Sequence, residues 1–514
     1  DGHQQLFLLN ILLAATCAFQ LLGDLARIHA VHLGALLLRS LTAELEGAQQ
    51  RLVLGGAGIG LGRVARQVDG RAHIEQALQR GAAAVVWEQE GFVWRKDWNR
   101  PNVPVQGLKQ MAGVLAAQFH GEPSAALWVC GVTGTNGKTS TAWWLAQALS
   151  RLGQRCGLVG TLGVGEPGQM HSTGLTTPDP LQLQTQFRRW VNEGVQACAM
   201  EASSIGLVEH RLSGCHVRTA IFTNFSQDHL DYHGSMQAYW EAKQSLFDWP
   251  ELGSAVVNID DPKGQALVAH LQGTAVNVWT VSMKSAQAHV HTRDVQTQAQ
   301  GMVFEVVCGD QVARLHTQAM GDFNVMNLLG VMAVLCQAGH PLSEAVAVCH
   351  DLQPVPGRMQ VQTQAGAPAV VVDYAHTPDA VAKALQALRP WAQARGGRLW
   401  CVLGCGGDRD QSKRAPMARS AETHADRVCL TSDNPRHEDP QHILHQMRQG
   451  LLDPDQAMEQ LDRAQAIAQC IEQAQAEDVL LVAGKGHETY QEVGQERHPF
   501  SDVEHIQLIM QEAA

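Results

Sequence analysis

A ten-residue run, GVTGTNGKTS (Gly131 to Ser140), limits the folds open to this chain more than any other segment; it is set between the apolar stretch ALWVC and the helix-forming TAWWLAQAL. A strand that ends in a glycine-rich turn and passes straight into a helix is the geometry of a phosphate-binding loop. Glycines admit close backbone approach, amides at the helix start face anionic oxygens, and a lysine neutralises charge. Here Gly134, Thr135, Asn136 and Gly137 form the turn, Lys138 supplies the charge, Thr139 offers a hydroxyl to Mg²⁺, and Ser140 continues into the helix. Strict Walker spacing asks for Gly at 132, where Val stands, so the general pattern is only partly met.

Around this loop, short apolar runs (ALWVCGV, ACAM, TAIFTN, SAVVNI) alternate with longer helical segments such as Thr139 to Leu152, which predicts a largely parallel sheet. The last third has the same alternation, and PAVVVDYAH, GRLWCVLG, RVCLTS and DVLLVAG each end in a loop rich in Gly, Asp, Asn or His. In open parallel sheets ligands sit beyond the carboxyl ends of the strands, so chemistry is expected in these loops. At roughly 150 residues per domain, 514 residues suggest three. Breaks at GEPS (Gly121 to Ser124) and QPVPGR (Gln353 to Arg358) place them at 1–122, 123–353 and 354–514. The expected fold is therefore α/β, with a smaller amino-terminal α/β domain, a central P-loop-type parallel-sheet ATPase domain and a Rossmann-like carboxy-terminal domain.

Thirty-eight basic against fifty acidic residues give a net charge of −12, which argues against coating nucleic acid or anionic membranes. Twelve Cys without a CxxC pair indicate neither a disulfide framework nor a zinc ribbon, and a cytoplasmic setting is expected. The apolar segment Leu6 to Leu22 is broken by Asn10 and Gln20 and has no basic residue ahead of it. A buried helix is expected there rather than a signal peptide or stable membrane insertion. The chain opens on Asp1, which leaves its natural start open.

Two further clusters carry possible chemistry. MEASSIGL places Glu201 just past an apolar strand, followed by Ser203 and Ser204, where a carboxylate can hold Mg²⁺ directly or through water. TNFSQDHLDYHG gathers Asn224, Asp228, His229, Asp231 and His233, and reads equally as a polar turn. Lys243, in YWEAKQSLF, taken alone reads as a solvated charge on an amphipathic helix.

Taken together, GTNGKTS, TTPDP (Thr176 to Pro180), EASSIGL, TNFSQDHLDYH, the AKxxLF around Lys243, FNVMN (Phe323 to Asn327), PGRM, DYAHTPDA (Asp373 to Ala380) and GKGHE (Gly484 to Glu488) resemble the Mur ligases, in family order, across about residues 125 to 505. These are ATP-dependent amide-forming enzymes of bacterial cell-wall synthesis, and within them the set resembles the branch that adds the third peptide residue. The resemblance implies that ATP phosphorylates the γ-carboxylate of D-Glu in UDP-N-acetylmuramoyl-L-alanyl-D-glutamate, after which an amine displaces phosphate from the acyl phosphate. It implies a catalytic set of Lys138, Glu201, His229 and Lys243, with Thr139 and Glu201 at one Mg²⁺ and His229 and a carbamylated Lys243 (N6-carboxylysine) at a second. Asn327 would hold adenine, Arg358 would reach the phosphates, and Asp373 and His376 would line the nucleotide cleft. Thr176, Thr177, Ser203, Glu209 and Arg211 match positions that contact the UDP substrate, although Glu209 stands where the family usually has Gln.

DNPR (Asp433 to Arg436) resembles the type that selects meso-diaminopimelate, whose distal carbon bears a carboxylate that lysine lacks. Arg436 and Arg409 can bind that carboxylate through charge-assisted hydrogen bonds, while Asp433, Asn434 and Glu488 receive the distal ammonium, with Pro435 shaping the turn and the Gly484 backbone nearby. The first 120 residues match poorly: only Asp69 to Glu88 looks like the family's amino-terminal domain, and an expected Asp-Ser-Arg element is absent. The expected partners are the UDP-dipeptide and meso-diaminopimelate, with a monomer as the working state. The alternatives are an L-lysine-adding or folylpolyglutamate-type ligase, and a non-catalytic nucleotide-binding partner of cell-wall enzymes.

Overall fold

A computed structural model describes residues 52–55, 69–298 and 301–512. The apolar segment Leu6 to Leu22 lies outside the described residues. The chain divides into two compact units, one running to Trp128 and adding Thr177–Gln196 and Gly206–His216, the other made of Val129–Thr176, Ala197–Ile205 and everything from Val217 onward.

The first unit holds a parallel three-stranded sheet in the order β1 (Leu52–Gly55), β2 (Ala84–Glu88), β3 (Asn102–Val105). Ile74, Val85 and Trp87 form its small core, with Phe92, Trp94 and Trp98 packed against them. Glu88, at the carboxyl end of β2, accepts from the backbone amides of Gly107 (3.2 Å) and Leu108 (2.6 Å) at the start of the helix Leu108–Phe119. That satisfies amides with no partner inside the helix and sets a negative charge against the positive end of its dipole. The segments 177–196 and 206–216, read from sequence as part of the central domain, cluster with this unit for local reasons. Arg188 Nε donates to the His120 carbonyl at 2.7 Å, and the His216 amide donates to Ser124 Oγ at 3.1 Å.

The second unit contains an eleven-stranded sheet. Its strands are β4 (Trp128–Thr133), β5 (Cys156–Gly160), β6 (Gly163–Glu166), β7 (Gln169–His171), β8 (Ala197–Glu201), β9 (Val217–Phe222), β10 (Ser254–Asn258), β11 (Asn277–Ser282), β12 (Val290–Gln298), β13 (Gly301–Cys308) and β14 (Gln311–Thr317). They lie in the order β14-β13-β12-β11-β10-β9-β4-β8-β5-β6-β7. The stretch β12 to β9, the β9–β4 pair and the β8–β5 pair are parallel, while the outer pairs are antiparallel hairpins. The strand carrying the phosphate loop therefore sits between β8 and β9, where successive connections leave on opposite sides. That is a topological switch point, the place where a doubly wound sheet opens a crevice. The helix expected over Thr139 to Leu152 runs Lys138–Arg151.

A six-stranded sheet follows in the order β15-β16-β20-β17-β18-β19, with β15 (Gln360–Gln362), β16 (Ala369–Asp373), β17 (Leu399–Cys405), β18 (Arg427–Ser432), β19 (Met458–Glu459) and β20 (Val479–Ala483). All neighbours except β15–β16 are parallel. Alternate side chains feed two separate cores. Val371, Leu403 and Leu481 pack under the helices Pro378–Arg395, Arg414–His424 and Pro440–Arg448, while Val370, Val402 and Leu480 pack against Arg463–Gln473 and Asp502–Glu512. Burial on both faces is why these strands read as continuous apolar runs. Across this layer Arg463 and Asp502, both side chains fully buried, pair at 2.7 and 2.8 Å, and Arg463 also donates to the Ala483 carbonyl. The α/β class, the parallel-rich sheets and the multidomain build agree with the sequence expectation.

Candidate active site

The phosphate loop is clamped by the segment that follows β9. The Thr135 amide donates to the Asn224 carbonyl (2.9 Å), the Asn136 amide to Asn224 Oδ1 (2.9 Å), and Thr223 Oγ1 to the Asn136 carbonyl (2.6 Å), while Thr135 Oγ1 donates to the Ser226 carbonyl (3.0 Å). Gly137 has φ +84°, and a Cβ there would lie 2.4 Å from Asn327 Oδ1. The loop thus needs a glycine where Asn327, from the helix Asp322–Gln337, presses against it. Asn327 is held in turn by Asn324, whose Oδ1 accepts from its Nδ2 at 3.2 Å.

Lys138 folds back on its own loop, with Nζ 2.9 Å from the Gly134 carbonyl and 2.8 Å from that of Thr135. Loss of hydration lowers its pKa, against the opposing pull of Glu201 and Asp228. Lys243 is not the solvated charge that its helix position suggests. Its side chain is buried, Nζ donates to the same Gly134 carbonyl at 2.7 Å, and it lies 4.3 Å from the centre of the Tyr239 ring. Burial, with Lys138 adding repulsion, holds its pKa well below the ordinary lysine value.

Glu201 ends β8 almost fully buried, and its two oxygens accept from the Thr161 amide (2.7 Å) and hydroxyl (3.3 Å). Thr161 Oγ1 also meets Thr176 Oγ1 at 3.1 Å, while Ser203 lies two residues beyond Glu201. His229 packs edge-on to Tyr239 with ring centres 6.0 Å apart, so His229 and Lys243 share one aromatic neighbour. Burial is the largest influence on the imidazole, bringing its pKa down to about 3 and leaving it neutral at physiological pH. Its neighbour Asp228 takes Lys413 Nζ at 2.5 Å, an ion pair between two buried or nearly buried side chains.

The loops of the six-stranded sheet approach the same place. Arg358 Nη2 donates to Thr139 Oγ1 at 3.1 Å, and the guanidinium lies 4.3 Å from the Tyr374 ring centre. Asp373 accepts from the Met359 amide at 2.7 Å; burial raises its pKa, while the nearby Arg358 opposes the rise. His376 Nδ1 is 2.8 Å from the Tyr374 carbonyl, and Asn136 Nδ2 is 3.4 Å from Asp379. His487 hydrogen-bonds the Thr161 backbone; burial brings its pKa down to about 3.

At the carboxyl end of β18, Asp433 to Arg436 form a turn whose first three residues are buried. Asn434 Nδ2 donates to Glu488 Oε2 (2.7 Å), and Lys485 Nζ donates to Asn434 Oδ1 (3.0 Å), Glu488 Oε2 (3.0 Å) and the Tyr490 carbonyl (2.6 Å). Gly484 has φ +114°, and a Cβ there would come within 2.5 Å of Asp433 Oδ2, so the GKGHE loop packs directly on the turn. Arg436 pairs with Glu492 and donates from Nη1 to the Gly407 carbonyl at 2.6 Å, while Arg409 lies exposed on the loop beyond β17. The structure therefore brings Asp433, Asn434, Arg436, Gly484 and Glu488 together.

In the first unit, Arg211 Nη1 donates to the Thr177 carbonyl at 3.0 Å. Glu209, the departure from the family pattern, pairs with Lys109 at 2.6 Å, so its charge has a local counterion. Sequence reasoning missed Lys109, Thr161, Lys413, Lys485 and Glu492. Only Lys485 carried a signal, as the lysine inside GKGHE.

The Mur ligase middle domain matches residues 132–335, and the Mur ligase glutamate ligase domain matches residues 357–486. The chain is 50% identical over 449 residues to UDP-N-acetylmuramoyl-L-alanyl-D-glutamate--2,6-diaminopimelate ligase of Acidovorax sp. (strain JS42), covering 86% of this chain and 89% of the relative. It is 47% identical over 457 residues to the ligase of the same name from Ralstonia nicotianae, covering 88% and 89%. A solved structure of a ligase with that name superposes with a TM-score of 0.64 at 35% identity, covering 91% of this chain and 93% of the other. Folylpolyglutamate synthase of Mycobacterium tuberculosis, solved with ADP and AMPPCP, shares the fold at 18% identity, with a TM-score of 0.58 over 73% of this chain and 92% of the other.

Proposed function

The chain belongs to the Mur ligase family, and from that premise we propose that it is the ligase that joins 2,6-diaminopimelate to UDP-N-acetylmuramoyl-L-alanyl-D-glutamate in peptidoglycan precursor synthesis. The observation that carries the choice of amine is the largely buried Asp433 to Arg436 turn at the carboxyl end of β18, locked to Glu488 and Gly484 beyond the carboxyl end of β20. A diacidic, dibasic amine matches that mixture of arginine and carboxylates. Lysine lacks the distal carboxylate and so forgoes the charge-assisted hydrogen bonds that Arg436 would give it, each worth about 1.5–3 kcal/mol.

ATP supplies the phosphoryl group that activates the D-glutamyl γ-carboxylate. Residues Gly134 to Ser140 receive its phosphates, with Lys138 and Arg358 offsetting their charge, Asn327 beside the adenine, and Asp373 and His376 lining the cleft. Two Mg²⁺ ions fit the donor chemistry only in part without further oxygens. Among the described residues no group of three or more His, Cys, Asp or Glu side chains is placed to hold a metal ion. Thr139 and Glu201 would hold one ion; His229 and Lys243 would hold the other, provided that Lys243 carries a carbamate oxygen. The neutral amine that burial favours at Lys243 is the form that reacts with CO₂, which supports that modification.

Among the described residues no helix is long and apolar enough to cross a membrane. We assign the reaction to a cytoplasmic monomer divided functionally at 1–122, 123–353 and 354–514.

The test mixes purified protein, ATP, Mg²⁺ and the UDP-dipeptide, and measures phosphate release with meso-diaminopimelate, L-lysine or no amine. Release stimulated strongly by diaminopimelate alone is expected. Equal release in all three overturns the reading.

A further inference from the structure

Beyond the GKGHE loop, β21 (Tyr490–Val493) and β22 (Glu496–Pro499) form an antiparallel hairpin. Its first strand and tight turn contact the Asp433 to Arg436 turn nearly residue by residue. Gln491 Nε2 donates to the Asp433 carbonyl (2.6 Å), the Glu492 amide to Asn434 Oδ1 (2.9 Å), the Arg436 amide to the Glu492 carbonyl (3.0 Å) and the Gly494 amide to the Arg436 carbonyl (2.7 Å). Arg436 also forms a parallel bridge with Val493. Its φ is +51°, a left-handed conformation that a side chain seldom adopts, and both of its backbone polar groups are held by the hairpin.

The side chain is fixed from the same source. Glu492, with 4% of its side chain exposed, places Oε2 3.1 Å from Arg436 Nε, and the Gly407 carbonyl takes Nη1. Engaging two nitrogens of a planar guanidinium from different directions fixes its plane, whereas a single contact leaves it free to rotate. Arg497 Nε stands 3.9 Å from the other Glu492 oxygen.

We propose that Glu492 is the positioning residue for Arg436: it holds the guanidinium plane in readiness for the distal carboxylate of the incoming amine, and so contributes to selection of a diacid over lysine. The proposal rests on the role assigned to Arg436 under the proposed function. A prearranged guanidinium avoids the ordering that a free one undergoes on binding, so the contribution appears in amine affinity rather than in phosphoryl transfer at a separate part of the site.

The experiment measures steady-state kinetics of the full chain and its E492A and E492Q variants with the UDP-dipeptide, ATP, and either meso-diaminopimelate or L-lysine. Wild-type turnover with diaminopimelate is read first; its absence overturns the functional assignment rather than this proposal. E492A should raise KM for diaminopimelate tenfold or more, with kcat and the KM values for ATP and UDP-dipeptide within twofold of wild type. E492Q, which keeps an acceptor for Nε, should recover most of the loss. An unchanged diaminopimelate KM in E492A, or an equal rise for all three substrates, overturns the proposal. Should E492A be unfolded by circular dichroism, E492D decides, a raised diaminopimelate KM supporting the proposal and an unchanged one overturning it.

Discussion

Lys138 and Lys243 converge on one acceptor, the Gly134 carbonyl oxygen, at 2.9 and 2.7 Å. Two ammonium groups cannot both remain charged there without cost, and the more buried Lys243 is the one driven toward the free amine. Its depressed pKa leaves the neutral form populated above that value, where CO₂ can add. The expected outcome is a carbamate signal from Lys243 in ¹³C NMR after incubation with labelled bicarbonate, lost in K243A. That variant should also lose at least about a hundredfold in kcat, the scale expected for an electrostatic contact to a transferring phosphoryl group.

Arg436 should govern the choice of amine. R436A is expected to raise KM for diaminopimelate by about tenfold to a hundredfold, corresponding to the roughly 1–3 kcal/mol attached to a charge-assisted contact. The weak reaction with lysine should change little. Parallel KM determinations check this, and an unaltered diaminopimelate KM removes DNPR as the selector.

The buried Arg463–Asp502 pair is structural. D502A leaves a fully buried guanidinium without its anion, which typically costs about 3–5 kcal/mol. A fall in Tm and a lower urea midpoint are expected, while the KM for ATP in protein that remains folded stays near wild type.

Stability should fall in mild acid partly through His487. Its folded pKa of about 3 lies below the ordinary 6.5, so between those values the unfolded chain takes up a proton that the folded chain refuses. The stabilising contribution is whole above pH 6.5 and declines as the pH drops toward 3. H487Q should make the unfolding midpoint less steeply pH-dependent between pH 6.5 and 4, as read by urea titration at several pH values.

Loops that close strands were legible because each keeps its chemistry in a short contiguous run. GTNGKTS, DNPR and GKGHE each fall at the end of a strand, as the alternation of apolar and polar segments implied. What stayed hidden depends on distant parts of the chain meeting. Asp228 and Lys413 are 185 residues apart, and Arg436 and Glu492 are 56 apart. Nothing in local composition announces such partners. Lys243 shows the same limit from the other side: helical spacing suggested solvent, whereas packing against Tyr239 and Gly134 buried it. The exchange of 177–196 and 206–216 into the first unit was invisible for a similar reason, since it rests on contacts such as Arg188 with His120.

The position of β20 between β16 and β17 matters during biosynthesis. As the polypeptide leaves the ribosome, β16 and β17 emerge long before the strand that bridges them, so both present unsatisfied backbone edges until Val479–Ala483 arrives. A product terminated shortly before that point is left with a split layer and a natural tendency to self-associate, which makes the late-emerging strand the one that closes the carboxy-terminal layer.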